Sequence, residues 1–319
     1  MHFLKTSKSI FVLYCLLVFV KAFSQSSYEK YLLHIKSADS LFKLKRYFNS
    51  AQEYSAAFGS LGGKGYYYDR YNASRTWAHV NYVDSAFFML NYIVFGKDRY
   101  DEYTHLLNDS DLINLHSDKR WDVLIKKAEV NSFGTNRKLR NQIDKLLSDD
   151  QLWSGILVRY NNNAIPKDSI RIENILSKID STKKVHYKII KKIVSKYGYP
   201  SYSLVGTLGS QNFWPLVQHQ DNHLKFQQRA LTLMKREVEK FNASELQYAY
   251  LDDRVKINAK ELQIFGTQLR LNHDSTSFEP FPIFDSVNLE QRRLSYGLST
   301  LEEYLRIMNI ANNGQLKKK

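Results

Sequence analysis

Apolar and small residues recur every three or four positions over most of this chain, which is the spacing of one face of an α-helix. Only five prolines occur in 319 residues, so long helices are expected and the predicted fold class is mainly α. In the first half the pattern predicts four helices, over residues 28–45, 48–61, 66–81 and 83–95. Gly62 and Gly63 separate the first helical pair from the second.

These two pairs carry an internal repeat, in which a small residue, a large residue, a tyrosine and a second small residue return after 35 positions. The repeated residues are Ala38, Phe42, Tyr47 and Ala51, which return as Ala73, Trp77, Tyr82 and Ala86. The pattern resembles tetratricopeptide helical hairpins, whose usual period is 34 residues. A third unit would place Asn108 and Leu112 at the small and large positions. We therefore expect the repeat to end after two units, with Trp121 anchoring the segment that caps it.

The second half of the chain predicts further helices and one small extended element. Helical patterns run over residues 135–157 and 167–196, with a polar loop at 161–163 between them. Residues 261–271 depart from helical spacing, and a second extended stretch covers 278–283. The predicted fold is therefore tetratricopeptide-like hairpins followed by a helical domain with a two-strand hairpin. The predicted divisions are residues 1–24 (signal peptide), 25–131 (repeats), 132–184 (helical connector), 185–310 (second domain) and 311–319 (basic tail).

Several polar residues of the second domain occupy positions that should be buried. If Pro215 begins a helix that continues through Leu224, Asp221 lies on an otherwise apolar face. In a later helix Asp253 lies on the stripe of residues that faces the core, whereas Asp252 lies off that stripe. A buried carboxylate needs a charged or hydrogen-bonding partner. The candidate partners of Asp253 are His219, Arg254, Arg292 and Arg293.

The arrangement of these motifs resembles a bacterial family of unknown function over roughly residues 185–308. The resemblance is carried by Trp214 with Gln218, His219 and Asp221, by Tyr250, Leu251, Asp253 and Arg254, by Gln263 with Gly266, Thr267 and Gln268, and by Arg292, Arg293, Gly297 and Leu298. It implies that eight of them are motif residues of the family. These are Gln218, His219, Asp221, Asp253, Arg254, Gly266, Thr267 and Gln268. Because that family has no established activity, the resemblance implies no mechanism.

Three interpretations of these polar residues remain open. In the first, the protein is an interaction or ligand-binding module, since the chain has no glycine-rich phosphate loop, serine nucleophile elbow or HExxH zinc motif. In the second, it is a hydrolase of extracytoplasmic material. In the third, the same residues form a buried structural network, which is compatible with the first interpretation.

The hydrolase interpretation assigns a role to each residue. His219 would be the general acid or base, and Asp221 or Asp253 would orient it. Arg254 with the turn at Gly266, Thr267 and Gln268 would hold an anionic or carbonyl group, and Gln218 and Arg292 complete the predicted ligand-binding set. His219 and His223 are four residues apart, but no acidic third ligand follows at a metalloprotease spacing. We therefore predict neither a metal site nor a cofactor.

The N-terminus predicts export. Lys5 and Lys8 precede an apolar run over residues 10–20, and residues 22–24 suit cleavage before Gln25. A short uncleaved anchor is the alternative. Cys15, the single cysteine, lies inside the apolar run, so the mature chain would have no disulfide, thiol nucleophile or cysteine metal site. The predicted location is periplasmic or secreted, with no transmembrane segment after cleavage.

The charge of the chain is strongly positive, at +14. Lys5, Lys8 and Lys21 leave with the signal, so the mature chain carries +11. Residues 167–196 hold nine basic residues against three acids, and residues 317–319 are all lysine. This excess predicts an anionic envelope surface as a possible partner, unless the lysines only form a solvated helix face. No nucleic-acid partner is expected, because no aromatic platform accompanies the basic run.

Overall fold

A computed structural model describes residues 27–97, 99–161, 169–274 and 276–316. The predicted signal peptide with Cys15, most of the predicted 161–163 loop and the three C-terminal lysines lie outside these ranges. The fold is mainly α with one two-stranded sheet, as predicted. The chain divides into two compact units, residues Met1–Glu129 and Val130–Lys319, called here unit 1 and unit 2.

Unit 1 is a succession of short helices joined by tight turns. Its helices are α1 (27–43), α2 (Tyr47–Ser60), α3 (Tyr67–His79), α4 (Val83–Phe95), α5 (Tyr103–Asn108), a 3-10 helix (Ser110–Leu115) and α6 (Lys119–Phe133), which runs on into unit 2. The four helices predicted from the repeat are confirmed to within two residues at each end. The repeated alanines are fully buried, because a small side chain lets neighbouring helices approach closely.

The helical spacing of unit 1 continues past the two units that the sequence repeat reveals. α2, α4 and α6 begin at Tyr47, Val83 and Lys119, which are 36 residues apart in each case. In the third unit the first helix is broken after Asn108, because the Asp109 side chain accepts a hydrogen bond from Asp111 N and begins the 3-10 helix. Leu112 is nevertheless fully buried. The expectation that the repeat ends is therefore not met by the helix positions, although Asn108 does mark an interruption.

Unit 2 contains two long helices followed by shorter ones and a hairpin. Its elements are α7 (Arg137–Asn161), α8 (Ser169–Tyr197), α9 (Tyr202–Gln218), a 3-10 helix (Asp221–His223), α10 (Leu224–Val238), α11 (Glu245–Asn258), β1 (Leu269–Leu271), β2 (Phe278–Pro280), a 3-10 helix (Ser286–Asn288), α12 (Leu289–Ser295) and α13 (Leu301–Leu316). The strands are antiparallel, with Leu271 opposite Phe278. This confirms the predicted hairpin. Within the described ranges, no helix is both long enough and apolar enough to cross a membrane.

One predicted helix start in unit 2 was wrong. Pro215 lies inside α9, not at its first turn, and the chain leaves the helix at Gln218, so Asp221 is not on a helical apolar face. α11 is capped by Ser244, whose side chain accepts from Gln247 N, whereas the Asn242 side chain bonds to Ser203 and Glu237. α13 begins at Leu301, and the Thr300 side chain before it accepts from Glu303 N.

Candidate functional site

Asp253 is fully buried on α11 and binds the backbone of one loop. Its Oδ1 accepts from Ile264 N at 2.7 Å and from Phe265 N at 2.9 Å. Its Oδ2 accepts from Thr267 N and Thr267 Oγ1, both at 2.8 Å. None of the four cationic side chains predicted as partners forms an ion pair with it in the described structure. The carboxylate is instead stabilised by neutral donors, whose hydrogen bonds to a charged acceptor are strong.

The loop over residues 263–268, called the 263–268 loop, also makes hydrogen bonds within itself. Gln263 is fully buried, donates to Gln268 O at 3.1 Å and accepts from Gln268 N at 2.9 Å. Gly266 has a φ of +69°, and a Cβ there would lie 3.0 Å from Ile283 Cδ1. The backbone conformation therefore favours glycine, and a Cβ would also press on the end of the Ile283 side chain. The predicted ligand-binding residues Gly266, Thr267 and Gln268 all lie in this self-bonded turn.

Two arginines of α12 donate hydrogen bonds to the same loop. Arg293 is buried and donates to Ser299 O at 2.7 Å and to Phe265 O at 2.5 Å. Burial lowers the pKa of its guanidinium. Arg292, predicted to bind ligand, donates to Ile264 O at 3.3 Å, to Phe284 O at 2.8 Å and to Asp285 Oδ2 at 2.9 Å. Both guanidinium groups are thus bound to backbone carbonyls of unit 2.

Asp252, beside Asp253 in sequence, has a different environment. It is 8% exposed, although the sequence predicted it to lie off the buried stripe. Burial raises its pKa to about 6, and the positive charges of Lys256 and Lys235 only partly oppose that rise. No cation lies within ion-pair distance of it in the described ranges. Asp252 is therefore a buried carboxylate whose charge is poorly compensated.

Asp221 forms a second and more open polar group. Arg254 binds it through Nε to Oδ1 at 2.8 Å and Nη2 to Oδ2 at 2.5 Å, and Asn258 Nδ2 reaches Oδ1 at 2.9 Å. Partial burial acts to raise the pKa of Asp221, but the bonds from Arg254 and Asn258 outweigh it and the pKa is lowered. The Asp221 side chain remains 42% exposed. This pair is a bidentate ion pair at the surface, open to solvent.

His219 lies two residues before Asp221, at the end of α9. Its Nδ1 is 2.9 Å from Asp150 Oδ2, and the two side chains are 29% and 5% exposed. Gln151 Nε2 donates to the same carboxylate oxygen at 3.1 Å. In the described chain, Nε2 of His219 has no hydrogen-bond partner. A carboxylate on one imidazole nitrogen fixes the ring and its tautomer, and leaves the other nitrogen available to a proton.

The sequence did not predict the partners that position these residues. Asp150 lies on α7, 69 positions before His219. Helical periodicity was the one signal in the sequence that could have indicated on which face of α7 it lies. Gln227 is fully buried and donates to Gln218 O at 3.1 Å and to Asp221 Oδ1 at 3.3 Å. His223, which was considered with His219 for a metal, stacks instead on Tyr187 with 3.5 Å between ring centroids.

Unit 1 contains a groove of about 370 Å³ between α1 and α3. It is lined by Asp39, Phe42, Lys43, Tyr54, Asn72 and Arg75. The Arg75 guanidinium binds Asp111 and lies 4.9 Å from the centre of the Phe42 ring. Lys43 is exposed and forms no ion pair in the described part of unit 1. The groove therefore offers one free cation beside an aromatic wall.

Comparison with known proteins finds a family match for the second half of the chain. Residues 168–318 match the model of a family of unknown function, DUF6624. This confirms the resemblance to an uncharacterised family that the motifs indicated. The matched segment contains Asp253, the 263–268 loop, Asp221 and His219, whereas Asp150 precedes it. No curated protein and no solved structure matches the chain.

Proposed function

We propose that this is an exported binding protein whose unit 1 holds a peptide in the groove between α1 and α3. The observation that carries the proposal is the combination of unsatisfied polar groups in that groove. Lys43 has no ion pair, and the Asn72 amide nitrogen makes no hydrogen bond within the described ranges, while its Oδ1 accepts from Arg75 at 3.4 Å. Groups of this kind are free to bind a partner without first breaking an internal contact.

The chemistry of the groove suits a peptide that carries a carboxylate. The Lys43 ammonium would form an ion pair with that carboxylate. The Asn72 amide nitrogen would donate to a peptide carbonyl, and Asp39, which accepts from Tyr54 Oη at 2.5 Å, has a second oxygen for a peptide N–H. Phe42 supplies an apolar surface between these polar groups. Arg75, on the α3 side of the groove, is paired with Asp111 and Asp109. Lys43 and Asp39 are therefore the charged groups left in the groove, and they would bind the carboxylate and an N–H of the peptide respectively.

The contacts of unit 2 support a structural role for most of its motif. Asp253, Thr267 and Gln263 direct their polar atoms to each other or to nearby backbone. Arg293 donates to backbone carbonyls through Nε and Nη1, while its Nη2 has no hydrogen-bond partner in the described ranges. A residue that is hydrogen-bonded inside its own fold has little capacity left for a ligand. Unit 2 would then be a rigid partner domain, and the predicted export signal and basic surface would bring the protein to an anionic envelope.

Peptide display tests the proposal although the partner is unidentified. Random peptides are selected on residues 25–319, and the enriched sequences are synthesised and measured by fluorescence anisotropy. We expect enriched peptides to carry an acidic group and Lys43→Ala to weaken them about tenfold. Lys30→Ala is the matched control, because Lys30 is also an exposed lysine of α1 but does not line the groove. Failure to enrich any peptide, or equal affinity of Lys43→Ala, would contradict the proposal.

A second candidate function, extracytoplasmic hydrolysis, is favoured by the Asp150–His219 pair. The imidazole is held at Nδ1 by a nearly buried carboxylate and keeps Nε2 free, which is the arrangement of a general base. Asp221 follows His219 by two residues and is bound by Arg254, and Arg254 would hold an anionic group once released from Asp221.

A comparison of variants tests the hydrolase candidate. Chromogenic ester, phosphoester and glycoside substrates are screened with the unaltered chain, and any activity is measured again in His219→Gln and Asp150→Asn. If His219 is the general base, the hydrolysis rate of His219→Gln should be lower by about a hundredfold or more. Loss of the same size in His223→Gln, whose ring is stacked on Tyr187, would show that the effect is structural.

A further inference from the structure

A cavity of about 370 Å³ lies between α7 and α8, away from every contact described for Asp253 and Asp221. Leu152 and Trp153 of α7 and Val185 of α8 form its apolar wall. Leu152 and Val185 are each 56% exposed, so the apolar wall is open to an incoming molecule. An apolar surface combined with a few placed polar groups is the usual composition of a small-molecule site.

His186 lines this cavity and has an unsatisfied ring nitrogen. The residue is only 4% exposed, and its Nδ1 has no hydrogen-bond partner. Burial lowers the pKa of the imidazole, so the ring is neutral at neutral pH. A buried polar atom without a partner costs free energy. Because this nitrogen is covered by protein, a ligand in the cavity would reach it only after the imidazole ring rotates, and a hydrogen bond formed then would remove that cost.

The opposite end of the cavity carries a free positive charge. Lys178 lies eight residues before His186 on α8, which is about 12 Å along a helix, and no ion pair to it is present in the described chain. Thr182 lies midway between them and its hydroxyl makes no hydrogen bond there. Among the described residues of the wall the acid is Asp149, which is paired with Lys145 at 3.2 Å. The net preference of that end is for an anion.

We propose that the α7–α8 cavity binds a small elongated carboxylic acid that has an apolar middle and a polar group at its far end. The carboxylate lies at Lys178 and Thr182, the apolar middle packs on Trp153 and Val185, and the far polar group pairs with His186. This site is independent of the peptide groove proposed for unit 1. Part of it, on α7, precedes the segment that matches the family of unknown function.

Three related probes separate the two ends of the site. The first, 3-(4-hydroxyphenyl)propanoate, carries both polar ends. 3-Phenylpropanoate lacks the distal hydroxyl, and 3-(4-hydroxyphenyl)propanamide lacks the charge. Binding to residues 25–319 is measured by isothermal titration calorimetry and by the chemical shifts of the His186 ring. We expect the first probe to bind, and each of the other two to bind about tenfold more weakly.

Matched variants assign those losses to residues. Lys178→Gln should reduce the acid to the affinity of the amide and leave the amide unchanged, whereas Lys188→Gln, a control on the exposed surface of α8, should change neither. His186→Phe should abolish the advantage of the hydroxyl only. Circular dichroism verifies that each variant is folded. If His186→Phe is unfolded, Lys178→Gln alone tests the proposed site. The proposal is overturned if the acid does not bind at millimolar concentration, if acid and amide bind equally, or if Lys178→Gln has no effect.

Discussion

Asp253 and Asp221 are carboxylates of one motif, but their surroundings differ in almost every respect. Asp253 is fully buried and accepts four hydrogen bonds from three residues of one loop. Asp221 has a side chain that is 42% exposed, and its main partner is the side chain of Arg254. The first carboxylate determines the path of the backbone, whereas the second remains in contact with solvent. Membership of a motif therefore does not by itself indicate a ligand site.

Asp252 extends this comparison to adjacent residues of α11. Asp252 and Asp253 are both buried, yet only Asp253 has a full set of donors. The burial of Asp252 raises its pKa to about 6, which means that the protein disfavours its charge. Neighbouring carboxylates of one helix are thus expected to act on stability in opposite directions.

The largest predicted effect is that of Asp253→Ala. The change leaves the N–H groups of Ile264, Phe265 and Thr267 buried or half-buried without an acceptor, at about 1–3 kcal/mol each before relaxation. We expect the free energy of unfolding to fall by about 3–5 kcal/mol. Urea unfolding followed by circular dichroism measures it.

Asp274→Ala is the control for this prediction, because Asp274 is an exposed carboxylate in the turn between β1 and β2. Its substitution should change the free energy of unfolding by less than about 0.5 kcal/mol. A loss below about 1 kcal/mol for Asp253→Ala would remove the structural interpretation of the 263–268 loop and would return Asp253 to the candidate site.

The next largest effect is expected for Arg293→Met, which keeps side-chain length but removes the bonds to Ser299 O and Phe265 O. The buried carbonyl of Phe265 and the carbonyl of Ser299, an exposed residue, then lose a charged donor, while the guanidinium no longer has to be desolvated. We expect a net loss of about 2–3 kcal/mol. Faster amide exchange at Thr267 and Gln268 than elsewhere in unit 2 should accompany it. Uniform exchange throughout unit 2 would show that Arg293 does not act through the loop.

Much of the fold could be predicted because it depends on local patterns. Helix spacing located α1 to α4 to within two residues, and Gly266 with two extended stretches indicated the hairpin. The start of α9 at Tyr202 was not predicted, and α9 is interrupted at Gly206, whose φ of +77° and ψ of +167° are not helical. Pro215 then suggested a helix start, although this helix accommodates it internally.

The site was harder to predict because its partners are distant in sequence. Burial of Asp253 followed from its helical stripe, but charge complementarity suggested arginine or histidine as its partner. Three backbone N–H groups and the Thr267 hydroxyl satisfy it instead. Any residue except proline can supply a backbone N–H, so no side chain in the sequence identifies three of the four donors. Asp150 was missed for a related reason, since 69 residues separate it from His219 and neither position requires the other.

Asp252→Asn sharpens the comparison within α11, with an effect of opposite sign. The folded pKa is raised to about 6 above an unfolded value of about 3.9. The folded state therefore binds more protons between these pH values, and stability present below pH 4 is lost as pH rises through 6. We expect Asp252→Asn to stabilise the protein by about 1–2 kcal/mol at pH 8 and to have little effect at pH 4. Urea unfolding at both pH values measures this, and equal effects at both would contradict the prediction.

The smallest predicted effect belongs to Asp221→Asn, and it tests the open side of the comparison. A solvent-exposed ion pair contributes about 0.2–1 kcal/mol even with bidentate geometry, and salt weakens it further. We expect Asp221→Asn and Arg254→Met each to cost less than about 1 kcal/mol in urea unfolding, with a coupling between them that shrinks from low to high salt. A loss of about 3 kcal/mol or more for Asp221→Asn would place it beside Asp253 as a structural carboxylate. A small loss leaves Arg254 at a surface where its release from Asp221 costs little, which is the condition that a ligand at this position requires.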